Sequence, residues 1–113
     1  MKEFLLLFRG TDTKPDYSPE QVQAQMQKWM DWVNGIAQNG KFNGGNPLFD
    51  TGVTITGTKK VVTDGPFMEG KEMLGGYISV SAENYDEAVA IAQNCPILDG
   101  ETGSVEVREV RPV

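Results

Sequence analysis

The segment from Ser18 to Gly40 constrains the fold most, because it carries signals for the start, the buried face and the end of one long helix. Ser18 can cap the first turn, Pro19 suits the first helical position, and Gln21 completes a capping box. Gly40 follows Asn39 and can take the left-handed conformation that ends helices. An apolar stripe at steps of three and four residues predicts the face packed on a sheet: Val22, Met26, Trp29, Met30, Val33, Ile36 and Ala37.

Strands are predicted on both sides of this helix. The apolar run from Lys2 to Arg9 lacks period-2 alternation, which is typical of a central strand. Later strands are predicted over 41–49, 77–81 and 104–110, with an inserted hairpin over 53–63 and a second helix from Asn84 to Cys95. Without the hairpin the order is β-α-β-β-α-β. This order predicts a ferredoxin-like α+β domain with both helices on one face of a mixed sheet.

The other face of such a sheet has no helix to cover it. Val105 and Val107 of the last strand, and Tyr77 and Ile78 of the strand before it, suit coverage by a second copy of the chain. We therefore expect a homodimer that forms a dimeric α+β barrel, with these residues near its interface.

The absence of histidine limits the chemistry of the chain. The side chain best suited to proton transfer near neutral pH is missing, and so are Ser-His or Cys-His nucleophile pairs and ordinary zinc sites. Acid–base chemistry would have to use Asp, Glu, Lys, Tyr or Cys. Neither a metal ion nor another cofactor is expected.

Composition excludes several classes of protein. The 113 residues suit a single domain, 1–113. The net charge is −6 and no basic stripe offsets it, so a nucleic-acid partner is not expected. No run approaches the ~20 apolar residues of a membrane span, and no signal peptide is recognisable. Cys95 is the only cysteine, so an internal disulfide is excluded and a cytoplasmic location is expected.

The stretch Gly65 to Lys71, GPFMEGK, has the Gly-x4-Gly-Lys spacing of a phosphate-binding loop. That loop needs inward-pointing N–H groups, a hydroxyl residue after the lysine and a helix that begins there. Here Pro66 has no N–H, Glu72 replaces Ser or Thr, and Gly75-Gly76 would interrupt a helix. We therefore interpret the match as coincidental.

The four residues from Asp64 to Phe67 predict a turn. Gly65 can adopt a backbone conformation that other residues avoid, Pro66 fixes φ, and Phe67 is expected to pack into the core. An ordinary Asx turn would use the N–H two residues after Asp64, but that residue is Pro66. The carboxylate must therefore bond the Phe67 N–H, a basic side chain or a ligand. Both a structural turn and a site residue stay open for Asp64.

Four stretches carry a family resemblance: VTDGPFMEGKEMLGGYISV, KWMDWVNGIAQNGKFNGGNPL, NYDEAVAIAQNCP and GSVEVREVRPV. Together they resemble the YCII-related family, in the branch named for its DGPF motif, from Phe4 to Val113. The branch pattern DGPF-x-E-x-KE is matched by Asp64, Gly65, Pro66, Phe67, Glu69, Lys71 and Glu72, whereas Gly70 stands where Thr or Ser is common. The resemblance implies a cytoplasmic, ferredoxin-like, dimeric α+β barrel of bacterial type.

Two functional features are known in other members of the family. A His-Asp pair proposed as catalytic in another branch does not carry over, since Trp29 and Gln38 align with it here. Some relatives in the DGPF branch are encoded beside or fused to sigma factors, which implies a regulatory role for that branch.

The candidate site is the charged connection after Thr63. The ligand-binding candidates are Arg9, Asp64, Phe67 and Lys71. One hypothesis is a dimeric ligand-binding or regulatory domain. The other is a lyase- or isomerase-type enzyme with Asp64 or Glu72 as the base and Lys71 or Arg9 stabilising an oxyanion. We expect an acid of the connection to pair with Lys71 or Arg9, beside a pocket with an exposed aromatic ring that suits a small polar or anionic organic molecule.

Overall fold

The computed structural model describes residues 1–11, 17–70 and 72–113. Along the chain its elements are β1 (Lys2–Thr11), α1 (Pro19–Gln38), β2 (Phe42–Pro47), β3 (Val53–Thr56), β4 (Val61–Asp64), β5 (Met68–Glu69), β6 (Glu72–Ala82), α2 (Tyr85–Ala92), a 3-10 turn (Pro96–Asp99) and β7 (Ser104–Glu109). The predicted order of helices and strands is confirmed, apart from the short strand β5.

The main sheet has the strand order β2-β6-β1-β7, and β5 pairs with the start of β6. With β3 and β4 set aside, this is the order of a ferredoxin-like sheet, and the predicted α+β fold class is confirmed. Each of these pairings is antiparallel, so the expectation of a mixed sheet is wrong. β3 and β4 form a separate two-stranded sheet.

The ends of α1 follow the predicted signals. The Ser18 side chain accepts a hydrogen bond from the Gln21 N–H at 3.2 Å, and the Gln21 side chain accepts one from the Ser18 N–H at 2.8 Å. Asn39 caps the other end, and Gly40 has a φ of +71°. No helix within the described ranges combines the length and the apolar character needed to cross a membrane.

The buried face of α1 is narrower than the apolar stripe predicts. Ile36 is buried, and the half-buried Trp29 meets Phe8 edge-on with the ring centroids 5.2 Å apart. Val22, Met26 and Met30, the other large residues of the first half of the stripe, are exposed. The physical reason is a contact of Trp32, which lies beside Trp29 on the opposite side of the stripe from Met26 and Met30. The Trp32 Nε1 donates a hydrogen bond to the Ile91 carbonyl of α2 at 3.0 Å. The side chains of α1 that reach the core are therefore Trp29, Trp32 and Ile36.

The core lies between the helices and one face of the sheet. Phe4, Leu6 and Phe8 of β1 are buried there, beside Ile78 and Val80 of β6. Small residues cover them, two from α2 and one from the segment between α2 and the 3-10 turn: Ala88, Ala92 and Cys95. The alternate residues of β1, Leu5 and Leu7, are half-buried on the opposite face. We call this opposite face the open face.

Three of the residues expected at a dimer interface lie on the helix side instead. Val105 stands opposite Phe8 and Val107 stands opposite Leu6, and cross-strand partners share a face. Both valines pack on the core, and Ile78 is itself part of it. Of the four residues, only Tyr77 shares the open face, because it stands opposite Leu7.

The connection between β4 and β6 is shorter than expected. β6 begins at Glu72, so Gly75 and Gly76 lie within a strand. Phe8 pairs with Gly76 and Arg9 pairs with Leu74, so Gly75 is an extra residue that forms a bulge. This bulge separates the part of β6 that pairs with β2 from the part that pairs with β5.

Candidate functional site

The turn from Asp64 to Phe67 is held by backbone hydrogen bonds. Gly65 has a φ of +93°, which confirms that it occupies a conformation unfavourable for other residues. Its N–H donates to the Gly52 carbonyl at 2.7 Å, and its carbonyl accepts from the Thr54 hydroxyl at 2.9 Å. The turn is thereby fixed to the base of the β3–β4 hairpin.

Asp64 is exposed at the end of β4, opposite Val53. Within residues 1–11, 17–70 and 72–113 its carboxylate has no hydrogen bond or ion pair. Of the three partners left open by the sequence, the Phe67 N–H is not bonded to Asp64, and neither is a described basic side chain. Among the described residues nothing therefore gives the Asp64 carboxylate a structural role.

Phe67 does not pack into the core, contrary to the expectation. Its side chain is 71% exposed. The reason is that the chain turns at once into β5, which pairs with β6 at the margin of the sheet and not beneath a helix. Phe67 instead forms one wall of a cleft.

This cleft, which we call the acidic cleft, has a volume of about 230 Å³. Its lining residues come from four places in the chain that the sheet brings together: Arg9, Phe67, Glu69, Glu72 and Glu106. Two of the four predicted ligand-binding residues, Arg9 and Phe67, and the catalytic candidate Glu72 lie here. Asp64 is not among the lining residues, and Lys71 lies outside the described part of the chain.

Arg9 is paired with Glu106, and not with an acid of the connection after Thr63. Its Nε donates to Glu106 Oε1 at 3.4 Å, and its Nη2 is 3.4 Å from the same oxygen. Arg108 Nη1 is 3.2 Å from the other carboxylate oxygen of Glu106. These side chains remain substantially solvent-accessible, so the network contributes little to stability and mainly orients the Arg9 guanidinium.

Glu106 is a site residue that the sequence reasoning missed. It lies between Val105 and Val107, and those two pack on the core. Alternation along a strand therefore directs Glu106 to the open face, where it stands opposite Leu7. The alternation of Val105, Glu106 and Val107 in the sequence could have identified Glu106 as a residue of that face.

Glu69 and Glu72 occupy directly opposed positions in the β5–β6 register. The turn between them contains Gly70, with a φ of +63°. Like charges placed opposite each other on neighbouring strands are destabilising. The cleft thus brings together two glutamates in directly opposed positions and a third that is paired with arginine.

The described charges of the cleft are three carboxylates and one guanidinium. Such a surface accepts hydrogen bonds from hydroxyl or amine groups and can donate from Arg9 to one oxygen atom. Among the described residues no group of three acids or cysteines is arranged to hold a metal ion.

A second hollow, of about 280 Å³, lies on the helix side. It runs between α1 and α2, along Trp32, Gly35 and Ile91. Its cation, Lys41, already pairs with Glu87. We regard the smaller acidic cleft as the better candidate site, because charged groups from separate strands converge there around an exposed aromatic ring.

Cys95 lines neither the acidic cleft nor the hollow beside Trp32. Its side chain is 2% exposed, and burial raises the pKa of its thiol to about 11. The thiolate needed for nucleophilic chemistry is therefore scarce at neutral pH.

Comparisons with known proteins identify a family, and solved structures are similar to the chain. A family model described as a YCII-related domain matches residues 4–113. No curated protein matches the chain. A solved structure of 5-chloro-2-hydroxyhydroquinone dehydrochlorinase (TftG) from Burkholderia phenoliruptrix AC1100, in complex with 2,5-dihydroxybenzoquinone, is 17% identical and covers 96% of this chain and 93% of its own, with a TM-score of 0.48. This similarity is too low to transfer a reaction.

Proposed function

The chain belongs to the YCII-related domain family, and we propose that it binds a small polar organic molecule in the acidic cleft. The observation that carries the proposal is the opposition of Glu69 and Glu72 across the β5–β6 turn. Without a ligand this arrangement costs free energy, because the two carboxylates repel each other. A ligand that places hydroxyl or amine groups between the two carboxylates would replace this repulsion with favourable hydrogen bonds to both.

The other walls of the cleft support a compact ligand. A cavity of about 230 Å³ is smaller than the ~300–1,000 Å³ typical of sites for drug-sized molecules. Phe67 offers an aromatic face, and the Arg9 guanidinium can donate to an oxygen of the ligand. Of the polar and anionic classes expected from the sequence, the excess of carboxylates favours a polar molecule rich in donor groups over an anion.

A second candidate function is catalysis of a lyase or isomerase type. The observation that favours it is the presence of Glu72 and Arg9 in one cleft. Glu72 would remove a proton from the substrate, and Arg9 would stabilise the negative charge that develops on an oxygen atom. Asp64, the other candidate base, has less support because it does not line the cleft.

We propose that the chain belongs to the DGPF branch, on the match from Asp64 to Glu72. We propose a homodimer in which Leu5, Leu7 and Tyr77 of the open face are covered by a second copy, since these large side chains are only half-buried in one chain. A cytoplasmic location is supported by the unpaired, buried Cys95.

The experiment is an NMR titration of the isotope-labelled chain with separate panels of small amines, polyols, phenols and carboxylates. We expect donor-rich compounds to shift the amide signals of 67–70 and 104–108. Glu69→Gln combined with Glu72→Gln should weaken this binding, whereas the matched control Glu83→Gln, on an exposed residue after β6, should not.

Two outcomes separate the candidates. If Glu72→Gln alone still binds a compound that the wild type converts, but abolishes the conversion, the chain is an enzyme with Glu72 as its base. If no panel shifts the signals of the cleft amides, the proposed ligand class is wrong. It is also wrong if carboxylates bind best and the Gln variants bind them more tightly than the wild type does.

A further inference from the structure

The β3–β4 hairpin, residues 53–64, projects from the rest of the fold. Its two strands form a sheet of their own and do not join the main sheet. The hydrogen bonds from Gly65 to Gly52 and from Thr54 to Gly65 tie its base to the following turn. The chain has a radius of gyration of 15.7 Å and extents of 45 × 45 × 20 Å, whereas a compact domain of this size has a radius near ~13 Å. We call these residues the hairpin arm.

Both faces of the hairpin arm expose apolar side chains. Ile55 and Val62 stand opposite each other and are 65% and 61% exposed. Val53, on the same face, is 63% exposed, and Val61, on the other face, is 53% exposed. A two-stranded hairpin is marginally stable in water by itself, so exposed β-branched side chains on such an element indicate a surface that is covered in the working molecule.

The tip of the hairpin arm carries the opposite charge from the rest of the chain. Lys59 and Lys60 lie in the turn between the strands. The chain as a whole has a net charge of −6, so without these two lysines the remaining residues carry −8. Within the described ranges neither lysine forms an ion pair. The tip is therefore attracted to negatively charged surfaces, and the rest of this chain is such a surface.

We infer that the hairpin arm contacts a second copy of this chain. A second copy offers both complements that the arm needs: an excess of negative charge for Lys59 and Lys60, and an identical apolar arm or other exposed apolar surface for Ile55 and Val62. Nucleic acid would attract the tip but offers no apolar surface for Ile55 and Val62, and the vesicle arm of the second test distinguishes an anionic membrane from a second copy. This inference rests on the homodimer proposed above and assigns it a contact outside the open face.

The first test is the dissociation constant of the dimer, measured by analytical ultracentrifugation over a dilution series. Ile55→Thr combined with Val62→Thr keeps β-branched side chains but removes apolar groups from one face of the arm. We expect the dissociation constant to rise about tenfold or more. The matched control Val89→Thr, at an exposed position of α2, should leave it unchanged.

The second test is hydrogen exchange of the amides of 53–64 above and below the dissociation constant. The arm should be protected in the dimer and should exchange rapidly after dilution or in the double variant, while β1 and β6 keep their protection. Rapid exchange of the arm in the dimer, or protection only after addition of DNA duplex or phosphatidylserine vesicles, would overturn the inference.

Leu7→Lys, which alters the open face, separates the inference from the proposed dimer. If Leu7→Lys dissociates the dimer and the Ile55/Val62 double variant does not, the open-face contact stands and the arm contact is refuted. A wild-type chain that is monomeric at all concentrations refutes both. The NMR titration of the acidic cleft uses the wild type and the Glu69 and Glu72 variants, and not Leu7→Lys, because Leu7 stands opposite Glu106 of the cleft.

Discussion

Glu69 and Glu72 stand directly opposite each other across the turn that joins β5 to β6. An exposed hairpin can place any polar residue at such positions, and a pair of opposite charges would be more stable than two acids. The pair lies in the same cleft as Arg9 and Phe67. This combination of an electrostatic cost with a convergent aromatic ring and cation is what distinguishes the β5–β6 turn from a solvated loop.

Replacing one of the opposed acids should stabilise the ligand-free chain. Glu69→Gln removes the repulsion and should raise the free energy of unfolding by about 0.5 kcal/mol at low salt, the solvent-exposed position limiting the gain. Urea unfolding measures the change. The gain should shrink in 1 M NaCl because salt screens the repulsion. A loss of stability would mean that Glu69 forms a favourable contact.

Asp64→Asn distinguishes a structural turn from a site residue. Because the Asp64 carboxylate has no partner among the described residues, the substitution should change the free energy of unfolding by less than ~0.5 kcal/mol. Thermal and urea unfolding of both forms measure this. A loss of ~1 kcal/mol or more would indicate a charge-assisted hydrogen bond to the backbone and count against a functional role.

Arg9→Gln should affect ligand binding more than stability. Its ion pair with Glu106 is partly exposed, so the free energy of unfolding should fall by less than ~1 kcal/mol. Loss of a charged donor in the cleft should weaken the best compound of the NMR panels about tenfold or more. Arg108→Gln is the matched control, since Arg108 also bonds Glu106 but does not line the cleft. Equal effects of the two variants would contradict a direct contact of Arg9 with the ligand.

Cys95 should react slowly with thiol reagents while the chain is folded. Burial raises the pKa of its thiol from 9.0 to about 11, so the folded state favours the protonated form more than the unfolded state does. Its contribution to stability is therefore fully present below pH 9 and is lost as the pH rises towards 11. Labelling with a maleimide at pH 8, with and without urea, measures the protection. Rapid labelling of the folded chain would contradict the burial.

The local signals in the sequence predicted the elements well. The ends of α1 follow from Ser18, Pro19 and Gln21, because a capping box is satisfied by neighbouring residues and needs no tertiary contact. The start of α2 follows in the same way from Asn84, whose side chain accepts from the Glu87 N–H at 3.0 Å.

Features that depend on distant contacts were not predictable in the same way. The flank of α1 that is buried depends on the hydrogen bond from Trp32 to Ile91, 59 positions away. The face occupied by Val105 and Val107 depends on the register of β7 against β1. The exposure of Phe67 depends on β5, a two-residue strand that exists only by pairing with β6. Arg9 and Glu72 were found from their charge, and their common cleft required the strand order.

The most direct test of the proposed function is a crystal structure of the chain soaked with the strongest-binding compound of the NMR panels. The account predicts electron density between Arg9, Phe67 and the Glu69–Glu72 pair, with hydroxyl or amine groups of the compound within about 3 Å of carboxylate oxygens. Density only in the hollow beside Trp32, or an empty cleft at saturating concentration, would contradict it.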